Sequence, residues 1–283
     1  MSPNRRTFLR GSAGVLTAGA IATGAGAASG STELAGVVST RGHFESDDSQ
    51  DGIGLVPGIS KREFTTTGTI PGFEESADDV LVFVHGLNTD EKAATDIFET
   101  ATTALLAADA DVPVLGFTYD SDVGSDSGDN AEIARRNGPK LGSFFQQLRD
   151  QTPDTRLHLV GYSLGGLVAM STLEFLEAED TGVTIDTVHM LAGAPEVDAV
   201  TTEGAYGPGI QEAAGQVYNF HRPIDIVLAY FNFLETPAVG RVGVDLERAP
   251  ANVTNIDVTT DVFNHFTYPK KTGGCLDQVA TRL

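Results

Sequence analysis

The stretch Arg156-Leu157-His158-Leu159-Val160-Gly161-Tyr162-Ser163-Leu164-Gly165-Gly166-Leu167-Val168-Ala169-Met170 decides how this chain is read. Its first residues form a strand pattern, and its last residues are apolar and small, at helical spacing. Between them lies G-x-S-x-G. In a strand–turn–helix setting this pattern has a chemical use. The serine takes a strained backbone conformation that lifts its hydroxyl clear of the sheet. Glycines 161 and 165 avoid side-chain clashes where the strand and helix cross. The Leu164 N–H, at the helix start, then points where negative charge develops on a tetrahedral intermediate. A bare G-x-S-x-G is common by chance; the flanking strand and helix make Ser163 a candidate nucleophile rather than an incidental turn residue.

Upstream, Val80-Leu81-Val82-Phe83-Val84 is continuously apolar, as expected of a strand buried on both faces. It ends in His85-Gly86-Leu87-Asn88. Residues 81–88, the turn at 161–166 and the order of strands around them resemble the lipase/esterase branch of the α/β-hydrolase superfamily, over essentially residues 35–270. The turn and the segment 217–225 resemble lipases of the triacylglycerol class. Residues 80–176 as a whole also resemble α/β-hydrolases of unassigned function. The resemblance implies an α/β-hydrolase fold: an eight-stranded, mostly parallel sheet flanked by helices, with the site at the C-terminal strand ends. It leaves the substrate open.

The resemblance also implies roles. The second oxyanion-hole N–H belongs to the loop after residues 80–84, where a short HG-x motif points to Leu87, with Asn88 as the fallback. His85 reads as structural. Chain order in such proteins is serine, acid, histidine. Only His189, His221 and His265 follow Ser163. The first two lie in strand patterns, whereas His265 follows the last strand, in Val262-Phe263-Asn264-His265-Phe266, and is the expected base. Asp225, in His221-Arg222-Pro223-Ile224-Asp225, is the expected acid, with Asp198 its main competitor. Asp257 and Asp261 sit on or just after the histidine's own strand.

Elsewhere the chain alternates strands and helices, boundaries being uncertain by about two to four residues. Strands are expected at 34–44, 63–70, 80–84, 112–119, 156–162, 187–192, 216–221 and 253–258. Helices are expected at 90–108, at 130–151 with an interruption at Gly138-Pro139, at 164–178 and, briefly, at 224–234. Residues 45–60 and 120–129 read as Ser/Asp/Gly loops. The Gly/Pro-rich stretch 203–215 has the composition of a cap or lid. Nothing divides residues 28–283, which read as one domain.

Arg5-Arg6 followed by Phe8-Leu9, then a weakly apolar Gly/Ala-rich run to Gly30, resembles a twin-arginine (Tat) export signal. A membrane helix is the competing reading, but the run is poor in Leu, Ile and Phe. Cleavage near Ala25-Gly26-Ala27 leaves no stable anchor and makes the Tat export machinery a partner. Removing residues 1–27 takes three arginines and no acids, so the net charge moves from −21 to −24. That charge excludes nucleic acid as a partner, since nothing here neutralises phosphates. It is spread along the chain, and resembles the proteins of extremely halophilic archaea, which stay soluble in concentrated salt. Cys275 is the only cysteine, so no intrachain disulfide and no thiolate cluster is expected. Residues 120–126 fail the EF-hand pattern at Gly124 and Ala131, so a solvated loop is preferred to a calcium site.

The expected function is hydrolysis of a small-molecule or lipid carboxylic ester by an exported serine hydrolase, with no cofactor and no metal. Acyl-chain length and oligomeric state are left open. A non-catalytic binding or surface protein of the same fold is the alternative.

Overall fold

The computed structural model describes residues 34–47, 52–70, 77–123, 127–231 and 234–283. The export signal expected at 1–27, and residues 124–126 of the acidic loop, lie outside the described residues. The strands are β1 (Gly36–Ser39), β2 (Phe44–Asp47), β3 (Gly52–Leu55), β4 (Thr65–Gly68), β5 (Asp79–Val84), β6 (Val114–Thr118), β7 (Arg156–Tyr162), β8 (Ile185–Leu191), β9 (Ala214–His221) and β10 (Val253–Asp257). The helices are α1 (Glu91–Leu106), α2 (Ser127–Gln151), α3 (Gly165–Ala178), α4 (Gly207–Ala213), α5 (Ile226–Ala229), α6 (Val239–Val242) and α7 (Leu276–Ala280).

Eight strands form one sheet in the order β10-β9-β8-β7-β5-β6-β1-β4. Every pairing is parallel except that of β1 with β4. The fold is that of an α/β hydrolase, and its eight strands are the eight expected from the apolar runs. The continuous apolar pattern of β5 has a direct cause. Val80, Val82 and Val84 enter one core with α2 and α3, while Leu81 and Phe83 enter the other with α1 and α7. A strand covered on both faces needs no polar alternation.

Four expectations fail. The loop expected at 45–60 contains the hairpin β2–β3, in register Phe44↔Leu55 and Ser46↔Ile53. Among its described side chains only Phe44 and Ile53 are buried, so the apolar signal is too sparse to mark strands. Helix α2 runs unbroken through Gly138-Pro139. At Gly138 a Cβ would lie 2.4 Å from the Ser171 carbonyl carbon, so this glycine marks a close crossing with α3 and not a break. The stretch 203–215 holds α4, which packs on α3; a Cβ on Gly209 would lie 2.6 Å from the Glu174 nitrogen. That contact is roughly 15 Å along α3 from Ser163, so α4 is scaffold and not a lid. The helix expected at 224–234 shrinks to the four residues of α5.

Asp120 also departs from the solvated loop expected of it. It is buried, and its carboxylate accepts from the backbone N–H groups of Gly42 (2.9 Å), His43 (3.1 Å) and Phe44 (3.2 Å). It thereby ties the turn between β1 and β2 to the end of β6. Cys275 is a buried free thiol whose pKa is pushed up by that burial. Replacing Asp120 with Ala takes an acceptor from three N–H donors and strands those of Gly42 and Phe44, while His43 N–H keeps the Thr40 carbonyl (3.3 Å). We expect a loss of about 3 kcal/mol in stability, read as a lower urea midpoint in matched salt; a midpoint unchanged from wild type would show that the turn is held by other contacts.

Candidate active site

Ser163 follows the last residue of β7 with φ of 54°, in the left-handed region that side-chain-bearing residues avoid. The strain is held by crowding. A Cβ on Gly165 would lie 2.6 Å from the carbonyl oxygens of both Val84 and His85, and one on Gly161 would lie 2.8 Å from the Gly165 carbonyl oxygen. The turn is also sewn to the end of β8. The Ser163 N–H donates to the Leu191 carbonyl (2.9 Å), and the Ser163 carbonyl accepts from Gly166 and Ala194 N–H (3.0 Å each).

The chain brings the three expected side chains together. His265 Nε2 lies 2.9 Å from Ser163 Oγ, and its Nδ1 lies 2.8 Å from Asp225 Oδ2. All three residues are buried. The other Asp225 oxygen accepts from Val227 N–H (3.1 Å) and Leu228 N–H (3.2 Å), because Asp225 caps α5. Both carboxylate oxygens are thus engaged, which fixes the face it turns to the imidazole. His265 opens a 3₁₀ turn, His265–Thr267, whose start is held by Asn264: its side chain accepts from Phe266 N–H (2.9 Å), and its own N–H donates to Thr267 Oγ1 (3.2 Å).

Two further residues hold this arrangement, and neither was found by sequence reasoning. The buried Tyr162 hydroxyl donates to the His265 carbonyl (2.8 Å). Arg222 donates to the Ile224 carbonyl (3.3 Å) and the Phe263 carbonyl (3.1 Å), tying the acid's turn to the histidine's turn. Tyr162 fills a free position of the motif and Arg222 stands among polar turn residues, so no local signal marks either.

The loop after β5 passes beside the serine: a Cβ on Gly86 would lie 3.0 Å from Ser163 Cβ. Asn88 N–H donates to the Ser121 carbonyl (2.9 Å), so the fallback oxyanion donor is committed elsewhere. Leu87 and Leu164 N–H find no acceptor among the described residues. His85 is structural. Tyr119 N–H donates to its Nε2 (3.3 Å), which leaves Nδ1 to donate to the Gly86 carbonyl (2.9 Å). Burial pulls its pKa down to about 3, so it stays neutral.

The competing residues fall elsewhere. Asp198 forms a surface ion pair with Arg248 (2.9 Å). Asp257 accepts from Thr259 N–H (2.9 Å), and Asp261 from the Gln278 amide (3.3 Å). His189 lies buried in β8, stacked on Tyr218, and His221 ends β9 half-buried. Among the described residues no group of three or more His, Cys, Asp or Glu is placed to hold a metal ion, and no helix is long and apolar enough to cross a membrane.

The chain belongs to a family described as alpha/beta hydrolases of unknown function (DUF900), whose family model matches residues 68–228, more than half of the sequence. No curated protein matches the chain. Among solved structures it is similar to a lidless α/β serine hydrolase of Xanthomonas campestris, at 18% identity and a TM-score of 0.43, covering 72% of this chain and 81% of that one. It is similar to a lipase-esterase related protein of Clostridium acetobutylicum at 12% identity and a TM-score of 0.42, covering 73% and 93%. An α/β serine hydrolase homologue of Coxiella burnetii is similar at 13% identity and a TM-score of 0.40, covering 73% and 85%. Likenesses this distant say nothing of substrate.

Burial pulls His189 down to about 3 as well. Between the ordinary 6.5 and about 3, the unfolded chain takes up a proton at this residue that the folded chain refuses. Its contribution to stability is therefore complete above pH 6.5 and is lost as pH falls through that window. His189→Gln removes this titration. The stability difference between pH 7 and pH 4.5 is expected to shrink by about 2 kcal/mol relative to wild type, measured by denaturant melts at both pH values; an identical pH loss in both proteins would contradict it.

Proposed function

We propose that this chain is an exported serine hydrolase that cleaves carboxylic esters through an acyl-enzyme. The observation that carries the proposal is the buried relay Ser163–His265–Asp225, with contacts of 2.9 and 2.8 Å. His265 Nε2 accepts the Ser163 proton as Oγ attacks the ester carbonyl, and a tetrahedral intermediate forms. The Leu87 and Leu164 N–H groups, which have no acceptor among the described residues, receive its oxyanion. His265 then passes the proton to the leaving alcohol, leaving Ser163 acylated. Water, deprotonated by the same nitrogen, attacks the acyl carbonyl; the carboxylic acid departs and Ser163 regains its proton. Asp225 holds Nδ1–H and stabilises the imidazolium formed in each half.

Export rests on the twin-arginine pattern of residues 5–10, with residues 1–27 as the signal, and the net charge of −21 supports a working place in concentrated salt outside the cell. We expect a fluorophosphonate probe to label the protein in molar salt and Ser163→Ala to abolish labelling. With a short-chain ester, kcat/KM should fall by about three orders of magnitude or more in Ser163→Ala and His265→Ala. Asp225→Asn should fall by about two or more, and Asp198→Asn within about twofold. An unlabelled folded wild type would leave a non-catalytic binding protein as the reading, and activity lost in Asp198→Asn alone would displace Asp225 as the acid.

A further inference from the structure

The described surface carries eight large exposed hydrophobic side chains, and five of them sit on the two turns that supply the acid and the histidine: Ile224, Ile226, Tyr230, Phe263 and Phe266. Their exposures run from 58% to 78%. They form one collar. Arg222 binds the carbonyls of Ile224 and Phe263 with a single guanidinium, so those residues are neighbours across the two turns. Ile226 follows Asp225 at the start of α5, and Tyr230 closes that helix. The Phe266 ring stands edge-on to the His265 ring at 5.6 Å.

Charge is withdrawn from the same place. In a chain of 39 acids, residues 222–234 contain only Asp225, which is buried, and residues 262–276 contain none. Lys270 and Lys271 fall in the second stretch. The longer acid-free runs among the described residues, 133–149 and 155–173, are mostly buried, whereas these two turns are exposed. Exposed apolar side chains in such number call for something that covers them. Because the collar stands on the turns that carry Asp225 and His265, with the Phe266 ring against the His265 ring, a permanent partner there would crowd the site. The occupant consistent with a working Ser163 is the surface that presents the substrate.

We infer that the collar docks onto an uncharged, apolar lipid–water interface carrying ester groups, and that the acidic remainder of the protein rejects anionic interfaces until salt screens it. The inference rests on the hydrolase reading for its purpose, but docking itself needs no chemistry. The apolar collar supplies affinity, and long-range repulsion supplies selectivity. The Debye length falls from about 10 Å at 0.1 M salt to about 3 Å at 1 M, so the rejection of anionic surfaces disappears in brine while hydrophobic docking is retained.

The test measures co-flotation of full-length Ser163→Ala protein with a triolein emulsion coated in phosphatidylcholine. Binding is then scored without turnover. We expect flotation with this emulsion. In the same background, Ile226→Ser combined with Tyr230→Ser should weaken it about tenfold, as should Phe266→Ser alone to a smaller extent. Leu246→Ser, an exposed apolar residue outside the collar, should leave it intact. Coating with phosphatidylglycerol should weaken flotation about tenfold at low salt and restore it at molar salt. Thermal melts establish that each variant is folded. The inference is overturned by absent flotation, by flotation indifferent to the collar substitutions, or by equal binding to the anionic coat at low salt. A concentration-dependent dimer that the collar substitutions dissolve would name a second copy as the occupant and overturn it too. If docking fails while the wild type reacts with the fluorophosphonate, only the docking inference falls; if docking holds and labelling fails, only the hydrolase reading falls.

Discussion

The start of α3 crosses the end of β5 with no side chain between them, and the geometry around Ser163 follows from that crossing. The space beside Gly165 is closed by the carbonyls of Val84 and His85, 2.6 Å from where a Cβ would sit. A chain that must leave β7 and enter α3 through this gap has one residue in which to turn, and Ser163 takes φ of 54° to do it. The same crossing brings the loop after β5 beside the turn, where a Cβ on Gly86 would lie 3.0 Å from Ser163 Cβ. Backbone strain is therefore tied directly to the placement of the Ser163 hydroxyl. Hydrogen bonds from the turn to the end of β8 keep it from relaxing.

Around this centre the polar groups divide into those that remain neutral and those that carry charge. His85 and His189 are held neutral by burial, and each lies inside the sheet or its connecting loops. Asp120 is buried but saturated by three backbone donors, so its charge serves the fold. Asp225 has two backbone donors on one oxygen and the imidazole on the other. That difference separates a carboxylate that fastens a turn from one that also orients a histidine. At the surface the division is one of place: the two turns that bear Asp225 and His265 expose apolar side chains, and the buried Asp225 is the one acid within residues 222–234 and 262–276.

The strands and the turn around Ser163 were legible because their signals are local. Burial on both faces writes itself as a continuous apolar run, as in β5 and β7, and a strand–turn–helix junction writes itself as glycines around a serine. The polar hairpin β2–β3 was not legible, since only two of its described side chains, Phe44 and Ile53, are buried. Gly138-Pro139 misled for a related reason: the glycine answers to the backbone of α3, which is absent from the local sequence.

The sequence by itself determined the class of fold, the position of Ser163, and a short set of histidines and acids able to serve it. It could not choose among them by spacing, because His265 lies 102 residues from Ser163 and 40 from Asp225. Sheet order made that choice: β7, β8, β9 and β10 are successive parallel neighbours, so the turns after β7, β9 and β10 leave the same edge of the sheet and converge. The roles of Tyr162 and Arg222 were decided at the same level. Each acts by donating a hydrogen bond to a backbone carbonyl on another segment, and a carbonyl has no letter in the sequence to announce it.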